Sequence, residues 1–258
     1  MLRIKSQYLF TIFILLVLFS CKKAEPKEQW ISLFNGKNLD GWHVKINGFE
    51  LGDNAFNTFR VRNNSIVVNY DNYSNFKDYY GHIFYKDSFS NYRLKFQYRF
   101  IGSQAPGGQA WATKNSGVML HCQSPQSMGI NQSFPVSLET QLLGGIDEGV
   151  ERPTANLCTP GIHVTLNNKF ETTHCINSSS KTFYDEQWID IEVEVYNDSL
   201  IKHFVNGKEV IAYSNPVIGG EYNTLLDKEG DKVKGGFISF QSESHPIEFK
   251  NILLLNLD

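Results

Sequence analysis

From Trp30 onward, short segments in which apolar and polar residues alternate dominate the chain. Turn-forming residues separate them, a spacing that predicts antiparallel β-strands packed as a sandwich. The predicted strands are 59–70, 81–85, 92–100, 117–123, 136–143, 161–166, 188–196, 200–205, 210–212, 235–242 and 247–255. No linker rich in Pro, Gly or Ser and no internal repeat interrupts the series, so we expect a single domain.

Two segments make the β prediction specific. In 92–100 the alternation is unbroken, which predicts one face in the core and Arg93, Lys95 and Arg99 on the other. Asn206 and Gly207 lie between two alternating segments, and this dipeptide favours the positive φ angles of a two-residue hairpin turn. The long connections 102–116, 144–160 and 215–231 are expected to surround one face of the sandwich.

Three predicted strands carry acids, amides and a histidine on alternate positions. Successive strand residues point to opposite faces, so these polar side chains share faces in pairs. The polar residues are His121, Gln123, Glu139, Gln141, Gln241 and Glu243. Their apolar alternates are Val118, Leu120, Leu138, Leu142, Ile238 and Phe240. A sheet with this pattern is apolar toward the core and polar on its other face, which suits a polyhydroxylated ligand such as a sugar.

The amino-acid composition limits the classes of binding partner that we expect. The chain has 258 residues with 24 Lys and Arg against 27 Asp and Glu, so no basic excess is present to neutralise a phosphate backbone. Nucleic acid is therefore not an expected partner. An aromatic content of 14% with 20 glycines favours β structure and sugar-stacking surfaces over a helical bundle.

The first residues resemble a bacterial lipoprotein signal. Arg3 and Lys5 precede an apolar run over 8–19 that is too short to span a bilayer, and Cys21 follows directly after Leu-Phe-Ser. We predict a signal peptide over 1–20, lipidation at Cys21 and a tether over 21–29 before the domain 30–258. The alternative is an ordinary signal peptide with a chance cysteine; both readings predict export.

The residues that follow the lipidation position indicate on which side of the membrane the protein is expected to lie. Lys22 and Lys23 follow Cys21 and provide no acidic surface-export signal, so we expect a membrane lipoprotein that faces the periplasm.

In an oxidising compartment a disulfide between Cys158 and Cys175 is expected, whereas Cys122 is expected to be a buried free thiol. No cysteine pair has the close spacing of a zinc site.

Four segments together resemble the family named for a 3-keto-disaccharide hydrolase domain. They are 32–42 (SLFNGKNLDGW), 115–120 (NSGVML), 138–142 (LETQL) and 236–252 (GFISFQSESHPIEFKNI), and their order matches over 30–257. The resemblance implies a concanavalin-like jelly-roll β-sandwich. It also implies action on glycosides whose C3 hydroxyl has been oxidised to a ketone, a substrate that a separate sugar 3-dehydrogenase would supply.

A ketone at C3 acidifies the C2 proton, so one base can start a β-elimination that expels the aglycone from C1. Such a route does not need the two opposed carboxylates of ordinary glycosidases. Laminarinase-type jelly rolls carry Glu-x-Asp-x-x-Glu on one strand, whereas here Gln141 and Gly144 follow Glu139 at those positions. Conventional retaining hydrolysis from this strand is therefore disfavoured.

The candidate site residues follow from these patterns. Glu139 is the first choice as base, His121 is a rival base, and Glu243 is a second carboxylate. The amide side chains are expected to hydrogen-bond sugar hydroxyl groups, and the aromatic rings are expected to stack on the apolar faces of the sugar. These substrate-binding residues are Gln123, Gln141, Gln241, Asn115, Trp111 and Tyr80. The alternatives are solvated or ion-paired glutamates, a packed histidine and core aromatics. His174, beside a cysteine expected to be bridged, is expected to be structural.

A divalent cation held by Glu139, Glu243 and a histidine would stabilise an enolate, although no compact ligand motif demands one. Two other functions are also compatible with the sequence. One is a non-catalytic carbohydrate-binding module, because the same fold serves both roles, and the other is a conventional glycanase.

Overall fold

The computed structural model describes residues 28–258. The chain there is all-β apart from short 3₁₀ turns. The strands are β1 (Ile31–Ser32), β2 (Trp42–Ile46), β3 (Phe59–Arg62), β4 (Ser65–Val68), β5 (Gly81–Phe89), β6 (Asn91–Phe100), β7 (Asn115–Cys122), β8 (Leu138–Leu143), β9 (Asn156–Cys158), β10 (Ile162–Leu166), β11 (Lys169–Glu171), β12 (Cys175–Ile176), β13 (Ile189–Tyr196), β14 (Leu200–Val205), β15 (Lys208–Ile218), β16 (Gly236–Ser242) and β17 (Ile247–Asn256).

These strands form two antiparallel sheets. The ten-stranded sheet has the order β11-β10-β15-β14-β13-β6-β17-β4-β3, with β1 added on β17. The seven-stranded sheet has the order β12-β9-β8-β7-β16-β5-β2. The inner faces of the two sheets bury one continuous apolar core, so the predicted all-β sandwich is confirmed.

The core forms where the alternation predicts it. The six apolar alternates of the polar strands, from Val118 to Phe240, all belong to the main core cluster. Along β6 every second residue is buried, and the outward Arg93 and Lys95 pair with Glu192 of β13. Asn206 and Gly207 have φ angles of 49° and 78°, which confirms the hairpin turn between β14 and β15.

Several strand bounds differ from the sequence prediction. The predicted strand 59–70 is a hairpin of β3 and β4, because Asn63 and Asn64 adopt φ angles of 49° and 61° and reverse the chain. Strands of two or three residues were not predicted because they are too short to show alternation. In β2 the buried Lys45 interrupts the alternation, so that strand was missed as well.

The predicted signal peptide, the lipidation residue Cys21 and nearly all of the tether lie outside the described residues. Within 28–258, no helix has the length and apolar character needed to cross a membrane.

Candidate active site

A cavity of about 720 Å³ opens on the outer face of the seven-stranded sheet. Segments from the three long connections surround it, as expected, and a further segment over 131–134 forms part of its wall. Strand register places one polar row across the sheet on this side. The row consists of Lys45, His82 and Gln241 on β2, β5 and β16, and of Gln141 and Asn156 on β8 and β9.

Glu139 lies in the middle of β8 and lines the cavity while only 7% exposed. Its strand neighbours are Met119 on β7 and Cys158 on β9. The side chain leans over Gly117, where a Cβ atom would lie only 2.2 Å from Glu139 Oε1. Glycine is therefore needed on β7 for the carboxyl group to take this position.

Glu243 lines the same cavity just after the end of β16 and is 4% exposed. The next residue, Ser244, has a φ angle of 80°, a conformation that L-residues rarely adopt. Its N–H donates to Tyr70 Oη at 2.9 Å, and its carbonyl oxygen accepts from the N–H of Ala105 at 2.8 Å. These bonds fix the turn that aims Glu243 into the cavity, where its Oε2 is buried without a hydrogen-bond partner.

Both glutamates have perturbed pKa values. Burial raises the pKa of Glu139 above its usual range. Burial also raises the pKa of Glu243, the negative charge of Glu139 raises it further, and the positive charge of Arg152 opposes both effects. Like charges close together disfavour double ionisation, so near neutral pH such a pair holds a proton. The raised pKa values of both residues therefore favour a protonated carboxyl group at this site near neutral pH.

Aromatic rings line the cavity in a continuous arc. Ring centroids lie 6.2 Å apart for Trp111 and Tyr80, 5.0 Å for Tyr80 and Phe134, and 5.5 Å for Phe134 and Tyr222. His174 closes the arc, 5.1 Å from Tyr222. Trp111 and Tyr222, at the two ends, are 54% and 46% exposed, so each presents an apolar surface to a ligand.

Amide groups supply acceptors close to the glutamates. Asn115 Oδ1 and Gln241 Oε1 are buried and have no hydrogen-bond partner among the described residues. Gln141 Oε1 accepts from Asn156 Nδ2 at 3.0 Å. Asn115 and Gln141 line the cavity, whereas Gln241 lies in the sheet beneath it. Unpartnered buried acceptors are costly, and ligand hydroxyl groups could satisfy them.

The structure does not bring His121 and Gln123 to this cavity. A register shift between β7 and β16 and a φ angle of 51° at His121 turn its ring toward the core, 6.2 Å from the Tyr92 ring. His121 Nε2 lies 3.1 Å from the Asn197 carbonyl oxygen. Gln123 Oε1 accepts from the Val136 N–H and from Gln132. The predicted shared face fails here because a β-bulge reverses the alternation.

The disulfide between Cys158 and Cys175 is present, and both residues line the cavity beside Glu139. Cys122 is the buried free thiol that was predicted, and burial raises its pKa to about 12. His174 was expected to be structural, yet it lines the cavity and its Nδ1 is buried without a partner.

Sequence reasoning missed several residues at the site because no local pattern marks them. They are Asp78, Gln109, Arg152, Tyr222 and the segment 131–134. All lie in loops whose positions depend on the packing of distant strands. The 131–134 wall, for example, is held by Lys45 Nζ, which donates to the Ile130 carbonyl oxygen at 2.9 Å.

Within 28–258, no group of three or more His, Cys, Asp or Glu side chains is arranged to hold a metal ion. Burial, together with the smaller effect of the positive charge of Lys45, lowers the pKa of His82 to about 3, so this imidazole is neutral. Both its ring nitrogens lack hydrogen-bond partners.

The fold and cavity define a β-sandwich protein with a lined cavity on one sheet, and its family membership supports a carbohydrate-related function. The chain belongs to the family described as 3-keto-alpha-glucoside-1,2-lyase-like domain, which matches residues 29–255. This membership confirms the resemblance seen in the sequence. No curated protein matches the chain.

Two crystal structures of Parabacteroides distasonis proteins, each described as a "putative glycosyl hydrolase", are similar to the chain. One has 20% identity, covers 89% of this chain and 94% of its own, and has a TM-score of 0.50. The other has 16% identity, covers 89% and 100%, and has a TM-score of 0.54. At these identities the similarity establishes a shared fold, and the predicted jelly-roll sandwich is confirmed.

Proposed function

We propose that this protein is an enzyme that cleaves the glycosidic bond of 3-keto-glycosides by β-elimination and then adds water. Family membership supports a glycoside substrate with a 3-keto group. The observation that carries the proposal is the burial of Glu139 and Glu243 in one cavity, where both pKa values are raised. A pair that holds one proton can act as base and acid in the same step.

The ionised glutamate, which we assign to Glu139, takes the proton from C2. The electron pair left on C2 is delocalised onto the C3 oxygen as an enolate. When the carbonyl re-forms, a C1–C2 double bond forms, the C1–O bond breaks, and the aglycone leaves as an alcohol with a proton from Glu243. Water then adds to C1 while C2 regains a proton, so the net reaction is hydrolysis.

The remaining groups bind and orient the sugar. Asn115 and Gln141, which line the cavity, bond its hydroxyl groups, while Trp111 and Tyr80 pack on its apolar face. The substrate requires a preceding oxidation of the C3 hydroxyl, which is the reaction of a sugar 3-dehydrogenase. The sequence of 1–29 supports an exported lipoprotein that is anchored through Cys21 and faces the periplasm.

A second candidate is a carbohydrate-binding module without catalytic activity, which the aromatic arc and the unpartnered amide oxygens favour. A third, a conventional glycanase, would use the two glutamates as a direct hydrolytic pair. Incubation of the purified protein with a 3-keto-glucoside and with its unoxidised parent separates the three. Cleavage of the ketone alone supports our proposal, binding without turnover supports the module, and cleavage of both supports the glycanase.

A further inference from the structure

The cavity has a second exposed aromatic surface, which the proposed reaction does not use. Trp111 and Tyr80, the proposed contacts of the sugar ring, lie at one end of the aromatic arc. Tyr222 and His174 lie at the other end, line the same cavity, and have ring centroids 5.1 Å apart. The rings of Tyr80 and Phe134 separate Trp111 from Tyr222, so one pyranose ring cannot cover both ends.

The backbone holds Tyr222 in a conformation that costs free energy. Its φ angle is 65°, in the left-handed region that residues with a side chain rarely adopt. The carbonyl oxygen of Glu221 accepts from the Gly161 N–H at 2.6 Å, and the Asn223 N–H donates to the Gly220 carbonyl oxygen at 3.3 Å. These bonds fix the connection between β15 and β16 on both sides of Tyr222. Backbone strain is concentrated at ligand sites, and here it brings a ring that is 46% exposed to the cavity.

A separate feature fixes His174. It directly precedes Cys175, which the disulfide joins to Cys158, the strand neighbour of Glu139. The His174 carbonyl oxygen accepts from the Thr159 N–H at 2.8 Å and from Thr159 Oγ1 at 3.3 Å. The side chain is thus anchored, yet its Nδ1 is buried without a hydrogen-bond partner among the described residues. An unpartnered buried nitrogen is costly, and a polar group on a ligand would satisfy it.

Resting on the function proposed above, we propose that Tyr222 and His174 form the subsite for the leaving group. The Tyr222 ring stacks on a flat apolar face of the leaving group, and His174 Nδ1 forms a hydrogen bond with a polar substituent on it. The leaving group is therefore an alcohol that carries a ring with a further hydroxyl group. A second sugar and a hydroxylated phenol share this chemistry, whereas a small alkyl alcohol lacks it.

The kinetic test compares 3-keto-glucosides that differ only in the leaving group: methyl, phenyl, 4-hydroxyphenyl and a second glucose unit. Tyr222→Ala is expected to lower kcat/KM by about tenfold for the three substrates with a ring, and to leave the methyl substrate unchanged. His174→Phe keeps a ring but removes Nδ1. It is expected to lower kcat/KM by about fivefold for the 4-hydroxyphenyl and glucose substrates, and to leave the phenyl substrate unchanged.

The control for these variants is Tyr196→Ala, which removes a tyrosine that is 38% exposed on β13 and does not line the cavity. It should leave kcat/KM unchanged for all four substrates. An equal loss on the methyl substrate and the ring-bearing substrates in Tyr222→Ala would overturn the proposal, because the ring would then act on the keto sugar or on the fold.

A binding measurement separates the subsite from the proposed reaction. The imidazole ¹⁵N signals of His174, assigned with His174→Phe, are followed by NMR while glucose or hydroquinone is added to the full chain. We expect a shift with at least one of the two probes, and its loss in Tyr222→Ala; the probe with the larger shift identifies a sugar or a phenol as the leaving group. No shift with either probe would overturn the subsite. A shift in a protein that cleaves none of the four substrates would refute the proposed function alone.

Discussion

The position of the Glu139 carboxyl group depends on the absence of a side chain at Gly117, and Gly117→Ala tests that dependence. The added Cβ would lie 2.2 Å from Glu139 Oε1 and 2.7 Å from its Cδ and Cγ. Ordinary van der Waals contact begins near 3.4 Å. The carboxyl group must therefore retreat by roughly 1 Å, and a displacement of this size at a reacting group costs roughly 10²-fold in rate.

The fold should tolerate the same change. Gly117 does not have a positive φ angle, and alanine in a strand is favoured over glycine by about 0.5–1 kcal/mol. We expect kcat/KM for a 3-keto-glucoside to fall by about 10²-fold while the melting temperature changes little. Gly129→Ala is the matched control, because its Cβ would meet only Gln132 Cβ, at 3.9 Å. Wild-type kcat/KM in folded Gly117→Ala would refute the assigned position of the base.

Three further outcomes follow from the same site. Glu139→Gln should abolish turnover but leave sugar binding measured by calorimetry nearly intact, and retained turnover would exclude Glu139 as the base. Both glutamates have raised pKa values, so the folded protein holds protons that the unfolded chain releases as the pH rises above the ordinary glutamate pKa. The free energy of unfolding should therefore fall from about pH 5 to about pH 8, by about 1.4 kcal/mol per unit of raised pKa, and Glu243→Gln should remove much of this slope; an equal slope in both proteins would contradict it. Replacing Cys158 and Cys175 by alanine opens a loop with a separation of 17 residues and should lower the free energy of unfolding by about 3 kcal/mol in denaturant titrations, whereas unchanged stability would show that the bridge contributes nothing.

The regular alternation of the long strands is what made the fold predictable. Strand β14 has the predicted bounds, and β6 buries every second residue, because each spans the sheet with one face in the core. The same rule placed Glu139 and Gln141 on the cavity side. It failed at His121, because one extra residue in a strand reverses the faces and leaves no mark in composition.

The loops could not be predicted in the same way. Arg152 gains its place from three carbonyl groups, and Tyr222 from its contact with Phe134, a residue distant in the chain. Such contacts arise only when separate strands pack, so no spacing within the sequence encodes them. The cysteine pairing could be predicted because the expected export would place both residues in an oxidising compartment.

The proposed elimination requires that the C2–H bond breaks during cleavage. A 3-keto-glucoside incubated with the protein in deuterated water should give a released sugar that carries deuterium at C2, as mass spectrometry and NMR can show. The unoxidised glucoside should remain uncleaved under the same conditions. Cleavage of the ketone without deuterium at C2, at an early stage before product exchange, would contradict the elimination mechanism.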